Sequence, residues 1–178
     1  MSGQRIFMLG ATGTIGRATL RVLLQQGHQV VCWIRPGAKG FEDIEGLQAT
    51  PGLTVRYGDV CDAQALQRDG FCGERFDVLL SCLASRTGAP KDAWAIDHQA
   101  HLNALQAARA AGVQHVVLLS AICVQKPLLA FQKAKLAFEQ ALMESGLSYS
   151  IVRPTAFFKS LSGQVQRVQQ GKPFLLFG

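Results

Sequence analysis

Short apolar runs recur along this chain, and the segments between them carry the spacing of amphipathic helices. Three of the helical patterns end in a glycine that leads into a β-branched run, at Gly27, Gly112 and Gly146. A glycine at the C′ position ends a helix and redirects the chain. The pattern therefore predicts strands that alternate with helices. The strands are expected near residues 4–9, 29–34, 53–57, 76–82, 115–119 and 148–152.

The apolar runs are nearly continuous and do not alternate with polar residues. Such runs are typical of parallel strands that helices cover on both faces. We therefore predict an α/β fold, a Rossmann-type doubly wound parallel sheet. A chain of 178 residues with 48% hydrophobic content is long enough for one buried core, so a single domain over residues 1–178 is expected.

A glycine-rich segment follows the first apolar run and opens a helical pattern. It reads Gly10-Ala11-Thr12-Gly13-Thr14-Ile15-Gly16, a GxxGxxG spacing. Glycines there allow a sharp turn and a close approach of the backbone to a pyrophosphate, which the N–H groups of the helix N-terminus then bind. A plain structural turn is the alternative, but the place at the start of a repeating strand-helix chain favours a nucleotide site. The predicted contacts are Gly10, Thr12, Gly13, Thr14, Ile15 and Gly16.

Ligands of doubly wound sheets lie beyond the carboxyl ends of the strands, so the residues that follow each strand are candidates. Arg35 follows the second strand, where an enzyme selective for NAD would usually place a carboxylate. A guanidinium there complements the 2′-phosphate of NADPH, although a solvated surface arginine is the alternative. Asp59 and Val60 follow the third strand. The Asp59 carboxylate is expected either to accept from the adenine amino group or to cap the next helix.

The nicotinamide end of the cofactor is expected where the fourth strand ends. The run from Ser81 to Ser85 has mostly small residues that leave room for a ribose and nicotinamide, so Leu83, Ala84 and Ser85 are predicted contacts.

A lysine stands in the apolar stripe of a later predicted helix, residues 127–144. Phe131, Lys135, Phe138 and Leu142 fall on one face of this helix. Burying an ammonium group without a partner is costly, so Lys135 is expected to meet the cofactor's ribose hydroxyls and phosphate field. A side chain that snorkels to the rim is the alternative. Lys133 points the other way and is expected to be solvated.

Charge and cysteine content narrow the function classes. The net charge of +6 is spread along the chain, which favours a small polyanionic ligand over nucleic acid. The five cysteines include no CxxC pair, and no secretory segment precedes them, so we expect reduced thiols in a cytosolic protein and no metal site. Three of the cysteines lie within apolar strand-like runs and are expected to be small core residues. No apolar run reaches the ~20 residues that span a bilayer, so the protein is expected to be soluble, or at most peripheral to a membrane.

With these residues in place, the chain resembles the atypical, NmrA-like branch of the short-chain dehydrogenase/reductase superfamily. The glycine pattern, Arg35, Asp59, Ala84 and Lys135 match cofactor-binding positions of that superfamily, and Lys135 matches its catalytic lysine. The superfamily's Tyr-x-x-x-Lys pattern places Phe131 where the catalytic tyrosine would stand. The resemblance therefore implies an NADPH-binding protein in which ordinary carbonyl chemistry is in doubt.

Longer runs narrow the resemblance. Residues 79–88, 118–135 and 150–161 look like the divinyl chlorophyllide 8-vinyl reductases of chlorophyll synthesis. This resemblance implies NADPH-dependent reduction of a tetrapyrrole's 8-vinyl group, in divinyl chlorophyllide or protochlorophyllide. Protonation at carbon needs no phenol, which makes the loss of the tyrosine understandable. Phe131, Phe157 and Phe158 are candidates for a flat apolar slot, and Lys159 for a contact with the propionate. The proton donor is unassigned; Ser120 and Cys123 lie near the right strand end.

Two other functions fit the same residues. One is a non-catalytic NADP(H)-sensing module of the NmrA type, and the other is a reductase of a quinone-like conjugated acceptor. A bacterial cytoplasm is the expected location, with a plastid as the alternative for a trimmed plant or algal chain. A seventh strand is expected to begin just before Phe177, and the resemblance implies that a C-terminal substrate region lies beyond this chain. The oligomeric state is not predicted.

Overall fold

The computed structural model describes residues 3–38, 44, 46, 49–155 and 162–174. Within these residues, parallel strands form one sheet in the order β3-β2-β1-β4-β5-β6. The strands are β1 (Arg5–Leu9), β2 (Gln29–Ile34), β3 (Leu53–Tyr57), β4 (Val78–Ser81), β5 (His115–Leu119) and β6 (Ser148–Val152). This order reverses between β1 and β4, which is the Rossmann topology and opens a crevice at the reversal point.

Helices connect the strands. They are α1 (Thr14–Gln25), α2 (residues 63–71), α3 (residues 90–110), α4 (Ala130–Glu144) and α5 (Ser162–Gln169). The second part of α2, Leu66–Phe71, and the middle of α3, Trp94–Ala100, are wound as π-helix. Wide π turns inside α-helices are rare and are often found at functional sites. None of the described helices is long and apolar enough to cross a membrane.

The core has two halves, one on each face of the sheet. Alternate residues of β1 divide between them, with Phe7 and Leu9 on one face and Ile6 and Met8 on the other. Helices α2, α3 and α4 cover the first face, and α1 covers the second. The predicted cover on both faces is thus confirmed for the central strands, whereas the edge strands β3 and β6 are partly exposed.

The three predicted helix-ending glycines are confirmed. Gly27, Gly112 and Gly146 follow α1, α3 and α4 with φ values of +79°, +76° and +78°. These left-handed conformations suit glycine because it has no Cβ.

Two predicted boundaries are wrong. The fourth strand begins at Val78, and Phe76 instead packs edge-on against Phe7 with ring centroids 5.3 Å apart. Helix α4 begins at Ala130, three residues after Pro127. The Gln132 side chain accepts hydrogen bonds from the N–H groups of residues 128 and 129, which satisfies the helix start there. The predicted seventh strand has no counterpart in residues 172–174, and residues 175–178 lie outside the described part.

The prediction that the cysteines are small core residues is confirmed for Cys32, which is buried in β2, and Cys82 is half-buried. It is wrong for Cys123, which is exposed, as are Cys61 and Cys72. Each of these three lies in a connection or at a helix end rather than inside a strand. Burial raises the pKa of Cys32 to about 12 and that of Cys82 to about 11, so both thiols stay protonated and unreactive.

Candidate functional site

A cavity of about 340 Å³ opens beyond the carboxyl ends of β1, β2, β3 and β4. This is the reversal point at which doubly wound sheets bind nucleotides. Eight of the predicted contacts line it: Gly10, Thr12, Gly13, Arg35, Asp59, Val60, Leu83 and Ala84. The other predicted residues, Thr14, Ile15, Gly16, Ser85 and Lys135, lie outside its lining.

The first loop uses its three glycines differently. Gly10 has a φ of +74°, and a Cβ there would lie 2.5 Å from the Cys82 carbonyl carbon. A Cβ on Gly16 would lie 2.1 Å from the Gly10 carbonyl oxygen. Gly10 and Gly16 therefore let the loop pack against the β4 end and against α1. At Gly13 a Cβ would meet its nearest protein atom at 3.4 Å, so the missing side chain there leaves space beside the cavity.

The N-terminus of α1 points its dipole at this loop. The N-cap residue Gly13 makes no side-chain hydrogen bond to the helix, and the first turn, which includes Thr14, Ile15 and Gly16, has no acidic residue. The positive end of the helix is therefore not neutralised by its own carboxylates. Together with the open space at Gly13, this arrangement fits a pyrophosphate.

The end of the cavity formed by β2 and β3 includes a cationic side chain and a carboxylate. Arg35 follows β2 directly and lines the cavity. Asp59 accepts a hydrogen bond from the Cys61 backbone at 2.9 Å. The helix cap is Asp62, which accepts from the Ala65 N–H at 2.9 Å, so the alternative role of Asp59 as a helix cap is wrong.

Sequence reasoning missed several lining residues. The Trp33 ring lies against Gly58 so closely that a Cβ on Gly58 would be 2.0 Å from Trp33 Cζ2. This indole, at the end of β2, forms part of the cavity wall beside Arg35. Beyond β4 the wall also includes Arg86 and Asp92. Hydrogen bonds from Thr87 hold the Asp92 carboxylate and lower its pKa.

Lys135 is buried, so the snorkelling alternative is wrong, whereas Lys133 is exposed as predicted. The Lys135 Nζ lies 3.1 Å from Asp97 Oδ1 and 3.5 Å from the carbonyl oxygens of Leu83 and Leu119. Its position at the ends of β4 and β5 places an ammonium group beside the loop that continues the cavity wall.

Asp97 is the ion-pair partner that sequence reasoning missed. It lies in the π-helical turn of α3 and is 1% exposed. Its Oδ1 also accepts a hydrogen bond from the Ser85 N–H at 3.2 Å. Within the described residues, its Oδ2 has no hydrogen-bond partner. The sequence does contain a signal: Asp97 and His101 are polar residues four positions apart on one face of an alanine-rich helix. This spacing alone does not identify Lys135 as the partner of Asp97.

His101 is neutral and serves to hold Ser81. Burial, with a further contribution from the charge of Lys135, lowers the His101 pKa to about 3. Its Nδ1 lies 2.9 Å from the Ile96 carbonyl and therefore carries the proton, while its Nε2 accepts from the Ser81 hydroxyl at 2.8 Å. A neutral imidazole with both nitrogens engaged does not supply a proton to a substrate.

The predicted proton-donor candidates differ in environment. Ser120 is buried, and its Oγ has no hydrogen-bond partner within the described residues. Cys123 is exposed with a φ of +66°. Phe131 lies half-buried one helical turn before Lys135, without a hydroxyl group. The remaining substrate candidates, Phe157, Phe158 and Lys159, lie outside the described residues.

Comparisons with known proteins identify a nucleotide-binding family. A family model described as NAD(P)H-binding matches residues 10–176. Divinyl chlorophyllide a 8-vinyl-reductase of Cucumis sativus is 49% identical over 97% of this chain and 43% of its own length. The reductase of the same name from Arabidopsis thaliana is 46% identical over 97% and 44%. Photosystem II assembly factor Ycf39 of Synechocystis is 27% identical over 90% and 47%. The chain therefore spans less than half the length of these relatives.

Solved structures share the fold. The Bordetella bronchiseptica enzyme WbmG in complex with NAD superposes with a TM-score of 0.80 at 22% identity, over 96% of this chain and 61% of that one. UDP-glucose 4-epimerase of Thermotoga maritima superposes with a TM-score of 0.79 at 17% identity, over 98% and 66%. At such identities the likeness shows the fold alone, and it confirms the predicted Rossmann-type sheet.

The names of the two vinyl reductases place them in the chloroplast. They agree with the plastid alternative and give no support to the expected bacterial cytoplasm.

Proposed function

The chain belongs to the NAD(P)H-binding family, and from this we propose that it is the cofactor-binding part of an NADPH-dependent reductase. Its substrate would be the 8-vinyl group of divinyl chlorophyllide or protochlorophyllide, which becomes an ethyl group. The observation that carries the proposal is the 46–49% identity to four plant reductases of that name over nearly the whole chain.

The preference for NADPH rests on Arg35. This residue stands directly after β2 in the cavity wall, at the position where NAD enzymes usually carry an acid. A guanidinium binds a phosphate with paired, charge-assisted hydrogen bonds, whereas a ribose hydroxyl gives it much less. Asp59 and Val60 would lie beside the adenine ring in the same wall.

Bound NADPH would supply a hydride to the vinyl group. Residues of this chain would fix where that hydride goes: Gly10 to Gly16 would hold the pyrophosphate, while Lys135 and the Leu83–Ser85 loop would hold the nicotinamide riboside. Fixing two reacting groups in a productive geometry contributes much of an enzyme's rate enhancement.

Phe131 fits the proposed acceptor. A carbonyl reductase needs an acid that protonates oxygen, and a phenol one turn before Lys135 would supply it. Reduction of a conjugated vinyl group ends with protonation at carbon and does not need that phenol. The exposed apolar side chains of Ile122, Leu128 and Leu129 follow β5 and favour a large, flat, apolar substrate over a sugar.

The location follows from the substrate. We place the protein where chlorophyll is made, which is the cytoplasm of a bacterial phototroph or a plastid.

Incubation of the complete gene product with NADPH and divinyl chlorophyllide tests the proposal, with the Cucumis sativus relative as a positive control. The expected result is the shift of the pigment's absorbance from the divinyl to the monovinyl form. Absence of the shift, with tight NADPH binding intact, would contradict the reductase.

That outcome would favour a protein that binds NADP(H) without turnover. Two observations support this second candidate: the missing phenol at Phe131, and the 27–30% identity to the photosystem II assembly factor Ycf39 of three organisms.

A further inference from the structure

Arg86 lines the cavity, but the function proposed above gives it no role. It is exposed and lies in the loop between β4 and α3. Among the described residues that line the cavity, Arg35 and Arg86 carry a positive charge. Arg35 follows β2, on the side proposed for the 2′-phosphate, whereas Arg86 follows β4, across the point where the strand order reverses. The two guanidinium groups therefore adjoin different parts of a bound dinucleotide.

The loop that carries Arg86 is held in shape by contacts that do not use its side chain. The Asp92 carboxylate at the start of α3 accepts hydrogen bonds from the Thr87 N–H at 2.9 Å and from the Thr87 hydroxyl at 2.7 Å. The same hydroxyl oxygen accepts from the Ala89 N–H at 3.2 Å. Gly88 completes the turn with a φ of +68°. These contacts fix the backbone on either side of the turn, and with it the place of Arg86 in the cavity wall.

The Arg86 guanidinium is available to a ligand. Within the part of the chain that the structure describes, it forms no ion pair. The nearby Asp92 carboxylate takes its hydrogen bonds from Thr87 and from the Arg86 backbone, not from the guanidinium. A guanidinium is more weakly hydrated than an ammonium group and binds phosphate oxygens with paired hydrogen bonds. The side chain therefore suits a phosphate that enters the cavity.

The first glycine loop and the stretch after β4 form neighbouring walls of the cavity. A Cβ on Gly10 would lie 2.5 Å from the Cys82 carbonyl carbon, so the two segments adjoin at the reversal point. In doubly wound sheets a dinucleotide crosses this point, and its pyrophosphate lies at the N-terminus of the first helix. The dipole there is equivalent to about half a positive charge, which is less than the charge of a pyrophosphate. A cation from the neighbouring wall would balance the rest.

We propose that Arg86 binds the pyrophosphate of the cofactor from the β4 side of the cavity. The inference rests on the cofactor binding proposed above and divides the phosphates of NADPH between two arginines. Arg35 recognises the 2′-phosphate, which NADH lacks, and Arg86 recognises the pyrophosphate, which both cofactors carry. The two residues therefore differ in their effect on cofactor preference: loss of Arg86 weakens both cofactors alike.

The R86Q variant of the complete gene product tests this assignment, with calorimetric titration of NADPH, NADH and adenosine 2′-monophosphate. We expect the dissociation constants of NADPH and NADH each to rise about tenfold, the scale of a charge-assisted contact. Adenosine 2′-monophosphate has no pyrophosphate, so its dissociation constant should stay within about twofold of that of the unmodified protein. Arg86 is exposed and forms no described ion pair, so R86Q is expected to fold.

R109Q is the matched control. Arg109 is an exposed arginine in the last turn of α3 and lies outside the cavity lining. Its replacement changes the net charge by the same amount, but salt screens exposed charges beyond about 10 Å. We expect all three dissociation constants to stay within about twofold in R109Q. The R86K variant keeps the charge and loses the paired N–H groups, so it should lose less affinity than R86Q.

Three results would overturn the proposal. The first is unchanged affinity of R86Q for NADH, and the second is a loss for NADPH alone, which is the pattern of a 2′-phosphate contact. The third is an equal loss for adenosine 2′-monophosphate, which would indicate a general disturbance of the cavity. The measurements do not use the vinyl substrate, so they remain readable if the vinyl reductase function fails. Failure of the unmodified protein to bind either dinucleotide would instead contradict the proposed cofactor binding itself.

Discussion

Replacing Gly13 with alanine decides whether the first loop is a phosphate cradle or a plain structural turn. A Cβ at Gly13 would meet its nearest protein atom, the Gly10 carbonyl oxygen, at 3.4 Å. The φ of Gly13 is −73°, which alanine adopts without strain. Gly13→Ala has two opposite effects on stability. Alanine is a poorer N-cap than glycine, which destabilises α1, and it restricts the unfolded chain, which stabilises the folded protein; each effect is about 1 kcal/mol or less. The free energy of unfolding should therefore change by less than about 1 kcal/mol.

The affinity for NADPH should respond much more strongly to Gly13→Ala. The methyl group stands in the open space beside the cavity, where the pyrophosphate must approach the backbone closely. Loss of one or two backbone hydrogen bonds to a charged group corresponds to roughly 1.4–2.8 kcal/mol, which is about 10- to 100-fold in the dissociation constant. Nicotinamide fluorescence during a titration with NADPH measures this directly.

Gly16→Ala is the matched control, because it places the same methyl group against the protein itself. Its Cβ would lie 2.1 Å from the Gly10 carbonyl oxygen, so the loop or the helix must shift. Overpacking of this kind costs about 1–3 kcal/mol, or roughly 2–4 °C of Tm per kcal/mol. Wild-type NADPH affinity in the Gly13→Ala variant would refute the cradle. A loss of Tm as large as that of Gly16→Ala would show that the space at Gly13 is not open.

Three more predictions address other parts of the site. Arg35→Asp should weaken NADPH binding by about 1–3 kcal/mol and leave NADH binding unchanged in parallel titrations, and equal loss for both would remove the 2′-phosphate assignment. Phe131→Tyr should give little carbonyl reductase activity in an NADPH oxidation assay with ketones. Rapid turnover would show that the missing tyrosine hydroxyl is all that prevents carbonyl reduction. The pKa of His101 is about 3 in the folded protein and 6.5 as its ordinary value. The unfolded state therefore binds more protons than the folded state as the pH falls below 6.5, so the free energy of unfolding should fall by about 2 kcal/mol from pH 7 to pH 5. Urea unfolding at both pH values checks the last prediction, and the same drop in His101→Gln would assign it to other groups.

The sequence predicted those features that neighbouring residues decide. The apolar runs determined the strands within two residues, because a strand buried on both faces excludes polar side chains locally. The glycine loop was predicted because its requirement, a turn without Cβ atoms, concerns a single strand-helix junction. The position of Lys135 between Phe131 and Phe138 on one helix face indicated that it is buried.

Features that depend on the exact backbone geometry or on distant residues were missed. Asp59 and Asp62 both suit a helix cap by type, and only the backbone geometry assigns the cap to Asp62. The partner of Lys135 lies on another helix, and nothing in the sequence near Asp97 shows that α3 and α4 bring the two together. The start of α4 at Ala130 depends on the Gln132 side chain, which outweighed the usual preference of Pro127 for a first helical turn.

The same division separates the two ends of the site. The proposed adenosine end would depend on backbone shape and on Arg35, which is exposed, so a change of cofactor preference there would not disturb the core. The opposite end depends on a carboxylate and an ammonium group that are both desolvated inside the core. A buried pair of this kind is expensive to retain and is strongly destabilising when only one partner is lost. Substitutions at this end are therefore expected to change Asp97 and Lys135 together, whereas the proposed preference for a 2′-phosphate could change through Arg35 alone.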